Sequence, residues 1–156
     1  MGVIQPGTQD PKAYQRMAQG EFLLSSAQLL ALNATPITVI AAPGAARAII
    51  FEGALIHKPA GTAYAGIAAG EDLAFNYTNG AGLELAQCET TGFLDQAGAE
   101  ARYVRPHTAA SGISSITPVA NAVVVIQLLV GEIITGDSPL HIRVYYRIAP
   151  TDLIAG

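Results

Sequence analysis

Along most of the chain apolar and polar residues alternate with a period of two, in short runs broken by Gly, Pro, Asn and Asp. That is the pattern of β-strands joined by turns. The clearest run is Leu140 to Ile148, where Ile142, Val144, Tyr146 and Ile148 point one way and His141, Arg143, Tyr145 and Arg147 point the other. A one-residue slip would bury two arginines, so its register is firmly set. Asn121 to Ile134 precedes it, joined by Thr135-Gly-Asp-Ser-Pro139, and the two are expected to form the strongest strand pair in the chain. In the earlier of these runs Val124, Ile126, Leu128 and Val130 face one side. Val123, Val125 and Leu129 face the other with only Gln127 to relieve them, which predicts a second buried face.

Arg47 to His57 places Ile49, Phe51 and Leu55 on one face with Arg47 and Gly53, and Ile50, Ala54 and Ile56 on the other. Both faces are largely apolar, which predicts a central strand covered on each side. Asp72 to Thr78 alternates as a half-buried strand, and Asn79-Gly80 then leads into Leu83 to Glu89, the pattern of a tight hairpin. Shorter strand-like runs are Ser25 to Leu32, closed by Asn33-Ala-Thr-Pro36, then Ile37 to Ala41, closed by Ala42-Pro43-Gly44, and Thr62 to Ala65. Helical spacing occurs only in Phe93 to Arg102, through Leu94, Ala97 and Ala101, with Gly98 against it. Pro106 to Pro118 reads as a surface loop.

About eight strands without intervening helices predict an all-β fold, an antiparallel β-sandwich of jelly-roll type, over residues 21–156. Residues 1–20 differ, being rich in Gln, Pro and Gly with scattered apolar side chains, and read as an extended N-terminal arm. Fully extended, twenty residues reach roughly 65 Å, enough to cross onto a neighbouring subunit.

Composition sharpens this picture. Charged residues make up 13% of the 156 and hydrophobic residues 51%, against about 25% charged in an ordinary soluble domain. So few charges predict that apolar faces are covered by sister molecules or another protein, with Val123, Val125 and Leu129 as the oligomer interface. The stripe of His141, Arg143, Tyr145 and Arg147 is a candidate surface contact, because Arg and Tyr are favoured at interface hot spots. A net charge of -4 and the lack of any Lys/Arg cluster argue against a nucleic-acid partner. The longest apolar stretch, Val123 to Val130, is far too short to span a bilayer, and no basic run followed by an apolar one opens the chain. Synthesis in the cytoplasm, with no membrane partner, is the expectation.

Chemistry is sparse. Cys88 is the sole cysteine, which excludes an intrachain disulfide and a multi-thiolate metal site within one chain. His57, His107 and His141 lie far apart, and none has a second imidazole or a carboxylate at ligand-like spacing. Glu71-Asp72 is the only adjacent carboxylate pair and reads as a solvated turn at a strand entrance. No nucleophile elbow, phosphate loop or dinucleotide fingerprint occurs. The expectation is a non-enzymatic protein without cofactor or metal.

The stretch Leu30-Ala-Leu-Asn-Ala-Thr-Pro-Ile-Thr-Val-Ile-Ala-Ala-Pro-Gly44, the Arg47 to His57 strand and Thr62-Ala-Tyr64 lead into Leu73-Ala-Phe-Asn-Tyr-Thr-Asn-Gly80. With the closing Thr135-Gly-Asp137 and Ile142-Arg-Val-Tyr-Tyr-Arg147, they resemble small structural proteins of tailed phages. The resemblance covers nearly all of residues 25–149 in strand-and-turn patterns and carries no catalytic signature. It implies a virion component made in the host bacterial cytoplasm: a capsid decoration or cement protein, a homotrimer on the outer capsid surface that clamps the major capsid protein. On that reading Tyr14, Arg16 and Met17 anchor the arm. The alternatives are a tail or neck component and a receptor- or carbohydrate-binding module. The lack of Trp weakens the latter, Tyr145 being the clearest outward aromatic on a strand.

Overall fold

The computed structural model describes residues 16–106 and 115–153. Within them the alternating runs become β1 (Ala18–Leu24), β2 (Ile37–Ile40), β3 (Arg47–Lys58), β4 (Leu73–Tyr77), β5 (Glu84–Cys88), β6 (Glu100–Val104), β7 (Val124–Leu128) and β8 (Leu140–Pro150). A one-turn helix, α1 (Ser26–Leu30), follows β1, and a 3-10 turn, Thr151–Leu153, follows β8. The strands form two antiparallel four-stranded sheets, in the orders β1-β8-β3-β6 and β2-β7-β4-β5. Among the described residues the fold is therefore all-β, with one short α-helix.

One hydrophobic core joins the sheets. Ile49, Phe51, Ile56, Ile142 and Val144 enter it from the first sheet, and Leu73, Phe75, Tyr77, Val124 and Ile126 from the second. Burying each such side chain stabilises the fold by about 1.5–3 kcal/mol. The rings of Phe51 and Phe75 lie 5.2 Å apart, and the buried Tyr77 hydroxyl donates to the Ile49 carbonyl, tying one sheet to the other.

β8 keeps the predicted register: Ile142 and Val144 are buried, while His141 and Arg143 are exposed. It does not pair with β7. β8 lies between β1 and β3, and β7 lies between β2 and β4, so residues 129–139 carry the chain from one sheet to the other rather than closing a hairpin. Each strand thereby gains two neighbours instead of one, which satisfies both edges of its backbone.

β3 departs from strict alternation. Phe51 pairs with Tyr146 and Gly53 with Tyr145, leaving Glu52 as the extra residue of a β-bulge. The bulge reverses the parity of everything after it. Ile49, Phe51, Ala54 and Ile56 fill the core, while Leu55, expected beside Phe51, is 37% exposed on the outer face. β3 is thus central in its sheet but covered on one side only beyond the bulge. Gly53 adopts φ +147°, and a Cβ there would lie 2.7 Å from the Val104 carbonyl oxygen of β6, so the position requires glycine.

β4 and β7 are buried on both faces, so β4 is not the half-buried strand its alternation suggests. The turn after β4 folds back over the outer side of the second sheet. There Asn76 Nδ2 donates to the Gly82 carbonyl at 2.9 Å, and Gln127 Nε2 donates to Asn76 Oδ1 at 3.2 Å and to the Gly80 carbonyl at 2.8 Å. Pro36 packs beside Gly80.

Three further expectations are corrected. Ser25 to Leu32 is not a strand, because Ser25 and Gln28 form a capping box: Gln28 N–H donates to Ser25 Oγ at 3.2 Å and Ser25 N–H to Gln28 Oε1 at 2.9 Å, starting α1. Thr62 to Ala65 makes only an isolated bridge, Ala65 to Thr135. Phe93 to Arg102 is not a helix: residues Glu100–Val104 pair with Ala54–Lys58 of β3, and the Arg102 guanidinium sits 5.2 Å over the Phe93 ring. That ladder and ring contact outweigh a weak helical spacing interrupted by Gly98. The segment read as an arm also ends earlier than residue 20, since Ala18–Gly20 pair with Val144–Tyr146. Residues 1–15 and 107–114 lie outside the described residues.

Candidate interaction surface

The outer face of the first sheet carries the most distinctive group of exposed side chains. Its rows follow from the pairing of four strands. In one row Leu23 faces His141, His141 faces His57, and His57 faces Ala101. In the next row Glu21 faces Arg143, Arg143 faces Leu55, and Leu55 faces Tyr103. Beyond these, Gln19 faces Tyr145, which faces the bulge glycine Gly53.

Three large hydrophobic side chains stand open here: Leu23 at 56% exposure, Leu55 at 37% and Tyr103 at 57%. The Tyr103 hydroxyl leans over Gly53, in space that a side chain at that position would occupy. Glu21, Leu23, Leu55, His57, His141 and Arg143 line a shallow, open groove of about 430 Å³.

Polar contacts hold the remainder in place. Arg143 Nε donates to Glu21 Oε1 at 3.0 Å, and Nη2 donates to the same oxygen. The Glu21 hydrogen bond, with Tyr145 as a second partner, raises the Arg143 pKa above its ordinary value. Arg147 pairs with Glu52, the bulged residue, with Nε 3.0 Å from Oε1. The predicted stripe of His141, Arg143, Tyr145 and Arg147 therefore lies on this face, with both arginines already in ion pairs within the chain.

The histidine expectation is corrected. His57 and His141, far apart in sequence, are directly opposed on β3 and β8 with ring centroids 6.1 Å apart. The β3 bulge hid this neighbourhood from strict alternation. A glycine inside an otherwise apolar strand was the available signal, because such glycines mark bulges.

Of the predicted oligomer interface, Val125 does not stand open for a partner. Val125 is only 4% exposed and is closed off within its own chain, while Val123 and Leu129 are half-buried. The fold covers the second sheet with its own turn, whereas the first sheet leaves Leu23, Leu55 and Tyr103 open on its outer face; Met17, Leu83, Val119, Val130 and Ile134 are exposed outside the strands. Of the predicted arm anchors, Arg16 and Met17 are exposed just before β1, and Tyr14 lies outside the described residues.

Other polar clusters are explained by packing. Thr62 donates through its backbone N–H (2.7 Å) and its hydroxyl (2.8 Å) to the Asp137 carboxylate. Those bonds, the hydroxyl first, hold the Asp137 pKa below its ordinary value. The Tyr64 hydroxyl donates to the Ser138 carbonyl, and burial, helped by Asp137, pushes its pKa up to about 12. Gly136 sits against the Tyr64 ring so closely that a side chain there would strike it. Together these contacts clasp the segment after β3 to the segment before β8. Lys58, fully buried, ends in two carbonyls, with Nζ 2.9 Å from Gly98 and 3.3 Å from Pro59. Cys88 is buried, and desolvation pushes its thiol up to about 11, so it is not an activated nucleophile.

Among the described residues no three His, Cys, Asp or Glu side chains converge as a metal-binding group, and no helix is long and apolar enough to cross a membrane. No protein-family model, curated protein or solved structure matches the chain.

Proposed function

We propose that this chain is a non-enzymatic structural subunit of a tailed-phage virion. In this reading it is a decoration protein that assembles as a homotrimer on the outer capsid surface and holds neighbouring major capsid proteins together. The observation that carries the reading is the strand order. Sheets ordered β1-β8-β3-β6 and β2-β7-β4-β5 over a shared core support a jelly-roll sandwich, an architecture found among viral shell proteins, lectins and cupins.

The outer face of the first sheet supplies the association surface. Covering Leu23, Leu55 and Tyr103 removes three large side chains from water, each gaining up to about 1.5–3 kcal/mol on full burial. The residues before β1 serve as the arm that reaches a neighbour or the shell. One such contact is weak, but many on one lattice act together, and each bound subunit favours the assembled shell by mass action.

The test is the mass of the purified protein in solution, followed by retention on purified capsids. A stable species three times the 16.1 kDa of one chain is expected, and a strict monomer that fails to bind capsids refutes the reading. Deleting residues 1–15, which leaves β1 whole, is expected to weaken retention. Unchanged retention removes the role given to the arm.

A second reading has one observation in its favour. Tyr103 and Tyr145 share the outer face with the Glu21–Arg143 pair, a combination suited to a sugar ring and its hydroxyls. Reproducible binding on a glycan array, lost in Tyr103→Ala, would move the assignment to a carbohydrate-binding module.

A further inference from the structure

We propose that His57 and His141 form a two-nitrogen site for a borderline-soft divalent transition ion such as Zn²⁺, Ni²⁺ or Cu²⁺. The proposal stands apart from the virion reading and rests on the geometry of the β3–β8 ladder.

The two imidazoles are opposed in register on adjacent antiparallel strands, 6.1 Å between centroids and inclined at 51°. A Zn–N bond is about 2.0–2.1 Å, so a metal bridging two rings at a tetrahedral angle sets their centroids about 5 Å apart. The rings must approach by about 1 Å, which rotation about χ1 and χ2 accomplishes without moving the backbone. Both side chains are exposed and free to make that rotation. Their backbones are not free to separate, because β8 is flanked by β1 and β3, and β3 by β8 and β6. The chelate is therefore largely pre-formed.

No charged side chain flanks the pair in its own row. The flanking positions in the same row are Leu23 and Ala101, neither of which titrates. In the adjacent row the one cation is Arg143, and Glu21 already neutralises it; Tyr103 completes that row from β6. Because no third ligand converges among the described residues, the ion keeps open positions for water or an anionic oxygen of a docked molecule. Imidazole selects Zn²⁺, Ni²⁺ and Cu²⁺ over the oxygen-seeking Mg²⁺ and Ca²⁺.

The test is calorimetric titration of the full chain with Ni²⁺ and Zn²⁺, with Mg²⁺ as the control. One Ni²⁺ or Zn²⁺ per chain and no Mg²⁺ binding are expected. His57→Ala and His141→Ala are each expected to weaken binding more than tenfold with unchanged circular dichroism, and His107→Ala to leave it unaltered. Absence of saturable Ni²⁺ and Zn²⁺ binding overturns the proposal. So does binding that survives either single substitution at full strength, or binding that His107→Ala weakens equally.

Discussion

Replacing Gly53 with alanine probes the bulge that decides which side chains reach the outer face. The backbone at Gly53 sits at φ +147°, where an L side chain adds strain of about 1–3 kcal/mol. The added Cβ would lie 2.7 Å from the Val104 carbonyl oxygen and 3.0 Å from the Tyr103 hydroxyl. The hydroxyl can swing aside at little cost. The carbonyl belongs to β6, whose pairing with β3 ends at Ala54 and Val104, so relief requires that end of the ladder to loosen. Losing about one net hydrogen bond adds about 1 kcal/mol. The total is about 2–4 kcal/mol, a substantial share of the 5–15 kcal/mol that holds an ordinary domain. For a chain of this length each kcal/mol lowers Tm by roughly 2–4 °C, giving a fall of about 4–16 °C. Reversible urea unfolding of both proteins gives the difference directly from the midpoints, provided the slopes agree. A loss below about 0.5 kcal/mol would refute the assigned geometry, and with it the outward placement of Leu55 and His57.

A pair of substitutions separates the covered sheet from the open one. Val125→Arg places a charge where the chain itself excludes water and is expected to cost about 3 kcal/mol or more. Leu55→Arg should leave the unfolding midpoint within about 0.5 kcal/mol of the parent while dissolving the proposed trimer, as read by light scattering. The opposite ranking would return the interface to β7. High pH tests the buried phenols. Tyr64 and Tyr77 both hold their protons up to about 12, chiefly through burial, against 10.0 in the unfolded chain. A raised folded pKa contributes stability that is fully present below pH 10 and lost as pH rises from 10 towards 12, on the order of 1–2 kcal/mol for each group. The Tyr64→Phe/Tyr77→Phe double variant should show a shallower decline across that window, and an identical slope would sink the assignment.

Much of the sheet structure was legible because alternation records which side of a strand meets the core. β8 shows this best, since its two arginines penalise every other register. Strand partners were less legible, because alternation does not say which strand lies alongside. The connection from β7 to β8 looked like a hairpin yet changes sheets. Ser25 and Gln28 held a cap signal that a count of apolar residues in the same run obscured, and β6 borrowed a helical spacing that its pairing with β3 overrode. The same limit governed the candidate surface. One strand's contribution, from His141 to Arg147, was visible by itself. Glu21, Leu23, Leu55, His57 and Tyr103 join it only through three separate ladders and a bulge, so no local window contains the group.

The central place of β8 also bears on how the molecule is made. On the ribosome, β1 and β3 emerge with a vacant slot between them, and the strand that fills it is translated about eighty residues after β3. Until then both carry unpaired backbone facing the slot, a template for another nascent chain. Such long-range pairing makes for slow folding, so yield in the cell depends on how long that slot stays open.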